Sequence, residues 1–445
     1  MMKKMGKRLI AVWMLGVMLV SFTACSKTND PEDEQDGKEV HVEQDKGKAE
    51  KKVIKLFHRF PDEPFNSFIE ETVAQYEADN PDIDIVVTSA QNKPYKEKIK
   101  VVVGSNDCPD VFFSWSGEFS ERFLREGLIM DLSEAYNKDT EWQNSLLASQ
   151  VNEYRSGDVL YGIPFRLDAK MMFYNIDMFN DYNLEIPKTW DQFIEVCQTL
   201  KDKGITPIAY GNQNQWPSSH YIGSINQMVV NNETRLKDLD PTTGEFTDPN
   251  YVKALEYYQQ LIPYFNDSVN GLPHDMARNN FAHSKAAMLF AELVEIPYLA
   301  DENADLNYGM FGFPLIPGEG DPTLLTGSPE GFVISSKTKY PEESIAFLKY
   351  FTGPEVGKKE VQQVGWFNAG IGIVEGLVDQ KLLEAYEVIK NADKMAGWFD
   401  ASLYSTVANE YLTAISDLTN GDVTPEEAMK KIQKVAKEAQ KTSQE

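Results

Sequence analysis

Hydrophobic and polar positions along the chain change period, and the changes predict alternating strands and helices. Phe68, Ile69, Val73 and Tyr76 recur at helical spacing, whereas the segments on either side alternate with the period of two that is typical of strands. This order predicts an α/β fold, and its first part should be a layered domain with a largely parallel sheet. The first predicted elements are strand 52–57, helix 65–79, strand 81–87, helix 95–103 and strand 109–113.

Capping residues mark the ends of helices further along the chain. Thr189 caps a predicted helix that ends at Gly204, and a strand over 205–210 follows. Thr424 and Glu427 form the spacing of a capping box. No internal repeat is visible, so the chain is not a repeat array. Further helices are predicted over 248–264, 341–351 and 424–439.

The start of the chain has a different pattern. A basic segment, with Lys3, Lys4, Lys7 and Arg8, precedes an uncharged and mostly apolar run over 9–22. That run has the length of a signal-peptide core and is shorter than the ~20 residues that span a bilayer. We therefore predict a signal peptide over 1–24.

Small residues stand directly before Cys25, and this arrangement resembles the lipobox of bacterial lipoproteins. The resemblance implies cleavage before Cys25 and lipid attachment to it, although Phe22 stands where Leu is commoner. A plain secretory signal with an incidental cysteine is the alternative. Residues 26–52 carry many charges and little to bury, so 25–52 is predicted to be a lipidated cysteine with a disordered acidic tether. The expected location is the extracytoplasmic face of the cell membrane, held by the lipid anchor alone.

Composition limits the partners of the chain. It has 445 residues, 42% hydrophobic, enough for two or three ordinary domains, and no second long apolar run. The formal net charge of −26 repels nucleic acid, so no nucleic-acid partner is expected.

Neither a metal nor a cofactor is predicted. The five histidines and the cysteines lack zinc-binding spacing, and Cys197 lies in an apolar helical pattern that predicts a buried free thiol. Cys108 and Cys197 are too few for a disulfide framework, although they could pair outside the cell. The segment from Asp238 to Gly244 faintly suggests a calcium loop but lacks the glycine and glutamate of that motif, so we interpret it as a turn.

Several segments together resemble the extracellular solute-binding lipoproteins of ATP-driven (ABC) sugar importers, in the broad family that includes maltose-binding protein. Their order and spacing cover nearly the whole predicted mature chain. One departure follows Met288, where many relatives carry Gly-x-Trp and this chain has the acidic segment 291–295. The matching segments are 80–86, 109–113, 161–165, 173–179, 187–209, 285–288, 331–336 and 421–428.

The resemblance implies a two-lobed periplasmic-binding-protein-like fold with a ligand cleft between the lobes and a hinge of two or three segments. By position, the hinge segments are 162–164 and 326–331. The N-terminal lobe is then 53–165 plus 331–376, and the C-terminal lobe is 166–330 plus 377–445. Such a protein would be a monomer that closes on its ligand and is recognised by ABC permease subunits.

Candidate ligand-binding side chains lie mainly in loops after predicted strands, because open α/β sheets bind ligands beyond the carboxyl ends of their strands. Aromatic rings pack on sugar C–H faces, and charged or amide groups bond the hydroxyls. Trp216, at the end of an amide-rich run, is the leading candidate. The competing interpretation places each tryptophan in the core and each charge in a surface loop or salt bridge. The candidates are Arg59, Asp62, Trp115, Glu118, Arg166, Asp168, Asn212, Trp216, Glu292, Glu330, Trp366, Trp398 and Asp400, and Glu295 follows Met288 in the same segment as Glu292.

The predicted function is therefore capture of a carbohydrate and its delivery to an importer, without catalysis. Four candidate tryptophans favour an oligosaccharide, since several platforms imply several rings. A sensor or surface binder of the same fold is one alternative. An extracellular glycoside hydrolase with paired carboxylates is another, but the order of elements does not resemble a hydrolase barrel or sandwich.

Overall fold

The computed structural model describes residues 51–374, 380–392 and 394–444. The predicted signal peptide, the predicted lipidation site Cys25 and nearly all of the predicted tether lie outside the described residues. Within these ranges, no helix combines the length and the apolar composition needed to cross a membrane.

The strands form two main sheets and two short ribbons. A six-stranded sheet has the order β13-β6-β12-β3-β1-β2, and a four-stranded sheet has the order β10-β7-β9-β8. The ribbons pair β11 with β14 and β4 with β5. In the described ranges the strands are β1 (Lys52–His58), β2 (Ile83–Ser89), β3 (Val111–Trp115), β4 (Arg155–Ser156), β5 (Val159–Leu160), β6 (Ile163–Leu167), β7 (Lys170–Asn175), β8 (Thr206–Ala209), β9 (Ala286–Glu292), β10 (Tyr308–Phe311), β11 (Leu325–Thr326), β12 (Glu330–Ile334), β13 (Phe367–Asn368) and β14 (Met395–Ala396).

Helices cover the sheets. In the same ranges they are α1 (Phe65–Asp79), α2 (Asn92–Val102), α3 (Glu118–Arg125), α4 (Ser133–Lys138), α5 (Thr140–Ser145), α6 (Ala148–Asn152), α7 (Ile176–Asp181), α8 (Trp190–Asp202), α9 (Trp216–Val229), α10 (Asn232–Leu239), α11 (Asn250–Leu261), α12 (His274–Ala282), α13 (Glu295–Glu302), α14 (Pro341–Phe351), α15 (Pro354–Val364), α16 (Gln380–Lys390), α17 (Ser405–Asn420) and α18 (Pro425–Gln444).

The predicted helix caps are confirmed. Thr189 and Gln192 bond each other's backbone at the start of α8, and Gly204 follows that helix with φ +77°. Thr424 and Glu427 form the same reciprocal pair at α18. The predicted start of α2 was too late by three residues, because Pro94 sits in the first turn, where its missing N–H has no helical partner.

The six-stranded sheet is mixed, whereas the sequence predicted a largely parallel one. β1 is parallel to β2 and to β3, as the strand–helix–strand order requires. β12 is antiparallel to both β3 and β6, and β13 is antiparallel to β6. β6 leads out of this sheet toward the other one and β12 leads back in, so the returning strand must run in the opposite direction.

The chain passes between the sheets at Asp168 and Ala169, between the end of β6 and the start of β7. Ile163 and Pro164 of the predicted hinge segment 162–164 pair with β12 inside the six-stranded sheet, so the crossing itself lies a few residues later than that segment. The return passage lies between β11 and β12, within the predicted segment 326–331. There Gly327 forms an isolated antiparallel bridge with Ala169, so the two crossing segments are neighbours.

Two apolar clusters fill the molecule. In β7, Met172 belongs to one cluster and Phe173 to the other; Met288 and Leu289 of β9 divide in the same way. This follows from the strand period of two, which turns successive side chains to opposite faces of the four-stranded sheet. Cys197 is a buried free thiol, as predicted, and Cys108 is also unpaired.

Gly327 allows the two crossing segments to approach each other. A Cβ atom at this position would lie 2.4 Å from the Asp168 carbonyl oxygen and 2.8 Å from the Ala169 Cα atom. We expect Gly327→Ala to lower the free energy of unfolding by ~1–3 kcal/mol, because backbone must move to make room. Urea denaturation measures this loss. Gly312→Ala is the matched control, since nothing lies within 4 Å of its added Cβ atom; equal losses in the two variants would contradict the close approach.

Candidate functional site

A cavity of about 830 Å³ lies between loops that extend from the two sheets. One wall comes from the loops after β1 and β2, the ends of β3 and β6, and the start of β12. The other comes from the starts of α9 and α12 and the segment after β9. β1, β2 and β3 are parallel, so their carboxyl ends meet at one edge. Ten of the thirteen candidates line this cavity: Arg59, Asp62, Trp115, Arg166, Trp216, Glu292, Glu330, Trp366, Trp398 and Asp400.

Three candidates do not line this cavity. Asp168 is buried at the crossing, where its Oδ1 atom accepts bonds from the backbone N–H groups of Ala169 and Leu293. Asn212 is buried and donates to Asn270. Glu118 begins α3 and is held by Arg125. Glu118 lines a smaller space of about 170 Å³, here called the side cavity, that adjoins the main one.

Glu330 is the centre of the most connected polar group in the cavity wall. Arg59 Nη2 donates to both of its carboxylate oxygens at 2.8 Å, Arg166 Nε donates to Oε2 at 2.7 Å, and Trp115 Nε1 donates to Oε1 at 2.9 Å. Burial by itself would raise the pKa of Glu330, but Arg166 and Arg59 outweigh it and hold the pKa below its ordinary value. The carboxylate is thus a fixed anion that orients two guanidinium groups.

The sequence predicted Trp115 in a loop after a strand and Arg166 directly after the first hinge segment, but both lie within strands. Trp115 ends β3, where it pairs directly with Glu330, the first residue of β12. The strand extends two residues further than predicted because β12 supplies hydrogen-bonding partners up to this point. Arg166 likewise lies within β6. The wall is therefore built on strands, which hold side chains more rigidly than loops do.

The four tryptophans differ in how much ring surface they expose. Trp115, Trp366 and Trp398 are each no more than 4% exposed, while Trp216 is half-buried. Phe65 stacks on Trp366 at 4.6 Å between centroids, and the Arg166 guanidinium lies 4.2 Å from the Trp366 ring centre.

Trp115 and Trp398 are covered in similar ways. Lys96 Nζ lies 4.5 Å from the Trp115 ring centre, and His220 stacks on Trp398 at 4.6 Å. Trp216 alone among the four cavity tryptophans presents a substantial exposed surface.

The opposite wall contains a second charged group, centred on Glu295. His274 Nε2 lies 2.8 Å from Glu295 Oε1, and Arg278 Nη1 donates to Oε2 at 2.8 Å. Burial opposes ionisation here too, but His274 and Arg278 lower the pKa of Glu295. His274 also packs against Trp216 at 4.7 Å between ring centroids. A glycosidase general acid needs a raised pKa, so Glu295 and Glu330 are suited to binding and not to proton donation.

Some buried polar atoms beside the cavity have no hydrogen-bond partner among the described residues. They include Lys170 Nζ, His220 Nδ1 and Trp398 Nε1. Lys170 Nζ lies 5.0 Å from the Trp216 ring centre. Burial lowers the pKa of Lys170, although Glu292 opposes the shift, and burial together with nearby Lys170 keeps the pKa of His220 well below its ordinary value. Such groups are costly to leave unpaired and are free to bond a ligand.

Lys96 and Asp400 join the two walls. Lys96 Nζ on α2 donates to Asp400 Oδ2 at 2.7 Å, and Ser219 Oγ of α9 donates to Asp400 Oδ1 at 3.0 Å. The pair lies where the main cavity meets the side cavity.

Sequence reasoning missed several wall residues. Gln91, Asn92 and Lys93 follow β2, so the strand-end rule that selected the loop after β1 would have found them. His274 and Arg278 are four residues apart on α12, a spacing that puts both on one helix face. No sequence signal indicated that this face would meet Glu295.

Comparison with known proteins places the chain among binding proteins. A model of the family described as bacterial extracellular solute-binding protein matches residues 62–358. The multiple sugar-binding protein of Streptococcus mutans is 24% identical over 368 residues, which cover 78% of this chain and 79% of that protein.

Solved structures have the same fold. A structure from work on xylan utilization by the thermophilic bacterium Caldanaerobius polysaccharolyticus is 26% identical with a TM-score of 0.77, covering 86% of this chain and 99% of its own. A chitin oligosaccharide binding protein is 23% identical with a TM-score of 0.80, covering 88% and 99%. The two-lobed solute-binding architecture expected from the sequence is confirmed.

We expect Glu330→Gln to destabilise the protein by ~3–5 kcal/mol at pH 7, because it leaves two arginines without their anion. The pKa of Glu330 is lower in the folded protein than in the unfolded chain. Its contribution to the free energy of unfolding is therefore fully present above the unfolded-state pKa of about 4.3, and it is lost as the pH falls through the folded-state pKa. The difference in the free energy of unfolding between wild type and variant should therefore become smaller at acidic pH. Urea denaturation across pH measures it.

Glu360→Gln is the matched control, because Glu360 is a carboxylate as deeply buried as Glu330. Burial raises the pKa of Glu360 to about 8, so stability should fall as pH rises from about 4.3 toward that value. Glu360→Gln should lose far less stability than Glu330→Gln. It should also make the free energy of unfolding less dependent on pH between about 4.3 and about 8. Equal losses in both variants would contradict the assignment of Glu330 as a paired anion.

Proposed function

Because the chain belongs to the bacterial extracellular solute-binding protein family, we propose that it captures an oligosaccharide outside the cytoplasm and delivers it to an ABC importer. The observation that carries this proposal is one cavity whose wall combines four tryptophans with fixed, hydrogen-bonding charges. Sugars need both kinds of group, since their C–H faces pack on rings and their hydroxyls require directed donors and acceptors. The volume of about 830 Å³ lies in the range of small-molecule sites, ~300–1,000 Å³.

The relatives support a carbohydrate ligand. The Streptococcus mutans protein is a multiple sugar-binding protein by name, and one structural neighbour is named for chitin oligosaccharides. Four tryptophans line the two walls of the cavity, and of these Trp216 presents a substantial exposed ring surface. In this proposal Trp216 is the platform for a sugar ring. Arg59 and Arg166, oriented by Glu330, present the donors for hydroxyl groups.

Closure about the crossing segments is the proposed way in which the importer recognises the loaded protein. The lobes would be 53–165 with 331–376, and 166–330 with 377–445, with the first boundary moved to the crossing at Asp168 and Ala169 and the second to the start of β12 at Glu330. A ligand that touches both walls favours the closed arrangement by its differential affinity for it. The Lys96–Asp400 pair, which already joins the walls, would strengthen that arrangement. The chain acts as a monomer in this scheme.

Glycan binding by isothermal calorimetry tests the proposal. With full-length protein in detergent, we expect at least one neutral or acidic oligosaccharide from a broad panel to bind. Trp216→Ala should abolish both the heat of binding and the ligand-induced change in tryptophan fluorescence. Its melting temperature should stay nearly unchanged, because Trp216 is only half-buried.

Trp190→Phe is the control for that variant. Trp190 is buried against Tyr257, outside the residues that line the cavity, so this change should leave both binding readouts intact. The absence of measurable binding to every mono- and oligosaccharide of the panel would contradict the proposed function. A large fall in the melting temperature of Trp216→Ala would instead assign Trp216 to the core.

We also propose that Cys25 carries the lipid that holds the protein at the membrane. The support is the small residues before Cys25 and the apolar run over 9–22. We expect wild-type protein from the native host to partition into a Triton X-114 detergent phase and Cys25→Ala to move to the aqueous phase. Cys108→Ala, which changes a different free cysteine, should partition as wild type. Aqueous partitioning of the wild type would support a plain secretory signal instead.

A further inference from the structure

The side cavity contains an excess of positive charge in a strongly acidic protein. Lys93, Lys96 and Lys100 reach it from α2, and Arg122 reaches it from α3. The whole chain has a formal net charge of −26, so a local cluster of cations at an internal surface is not explained by overall composition.

The nearby acids neutralise only part of this charge. Asp400 is bonded to Lys96, and the carboxylate of Glu118 is held by Arg125. Glu97 is the remaining acid of the side cavity, and it is exposed. Lys93, Lys100 and Arg122 make no ion pair with any described residue.

Arg122 is the best placed of these cations to hold a ligand. It is half-buried, and its Nε and Nη2 atoms are buried without a hydrogen-bond partner among the described residues. Its guanidinium lies 4.5 Å from the ring centres of Phe119 and of Phe123, which position it without neutralising it. Burial lowers the pKa of Arg122 to about 10, so the group is still charged at neutral pH. Unpaired buried donors of this kind favour an anion with oxygen acceptors.

The side cavity adjoins the main cavity. The two share six wall residues: Asn92, Lys93, Lys96, Asn214, Trp216 and Asp400. Trp216 is the cavity tryptophan with the most exposed ring. A sugar ring packed on Trp216 would therefore have substituents beside the side cavity.

We propose that the side cavity binds a carboxylate carried by the saccharide, so that the ligand is an acidic, uronate-containing oligosaccharide. This inference rests on the proposed function, and it adds the chemical class of the ligand. Arg122 is the principal partner of the carboxylate, and Lys93 and Lys100 add positive charge at the rim. A free inorganic anion has the same chemistry and is the alternative source.

Calorimetry with pairs of probes that differ in charge tests this. The pairs are trigalacturonate with its methyl ester, glucuronosyl-xylotriose with xylotriose, and glucuronate with glucose; sodium sulfate is the inorganic probe. We expect at least one uronate to bind about tenfold more tightly than its neutral partner at low ionic strength. The preference should shrink in 0.5 M NaCl, since salt screens the attraction.

Substitutions then locate the preference. Arg122→Met should remove most of it, and Lys100→Met should reduce it. Lys98→Met is the control, because Lys98 lies on the same helix as Lys100 but lines neither cavity. Because Lys100 is exposed, Lys100→Met should fold normally. This variant therefore still tests the inference if Arg122→Met does not fold.

Four outcomes would overturn the inference. Neutral oligosaccharides that bind as tightly as their uronate partners would refute it and leave the proposed function standing. So would a preference that survives both substitutions. Sulfate that binds at Arg122 without any uronate preference would mean an adventitious ion only. Failure of every saccharide to bind would reject the proposed function and this inference together.

Discussion

The buried Glu330 carboxylate, with Arg59, Arg166 and Trp115 bonded to it, is the interaction on which the rest of the site depends. It ties together the loop after β1, the end of β3, β6 and the start of β12, and it lies beside the return crossing. A buried charge is costly unless it is fully paired. Here three side chains donate hydrogen bonds to the carboxylate and offset the desolvation cost. The same bonds fix the position of each donor.

Paired charges of this kind also cover two of the cavity tryptophans. Arg166, held by Glu330, lies over Trp366, and Lys96, held by Asp400, lies over Trp115. A guanidinium or ammonium group gains from the negative face of an aromatic ring. The rings thereby help to position the donors that line the cavity, and only Trp216 keeps a free surface. The four tryptophans that the sequence suggested as candidate platforms therefore have different positions and neighbours.

Much of the fold followed from local rules. Helix α1 and the caps of α8 and α18 were predicted because apolar period and capping chemistry are short-range properties. The direction of β12 and the point of crossing at Asp168 were not, because strand pairing joins segments more than 150 residues apart. Asn212 is another example. Its amide side chain could bond a ligand, but it donates instead to Asn270, a residue 58 positions away in the chain.

By itself, the sequence determined the element types, the two-lobed solute-binding family, a buried Cys197 and a set of charged and aromatic residues near the strand ends. Each of these depends on local periodicity, on composition or on motifs in order. Only the tertiary structure decided which charges pair, which rings are covered and which cations are left unneutralised beside the cavity. Those properties depend on side chains from distant segments meeting within about 3–5 Å, a distance that no local pattern encodes.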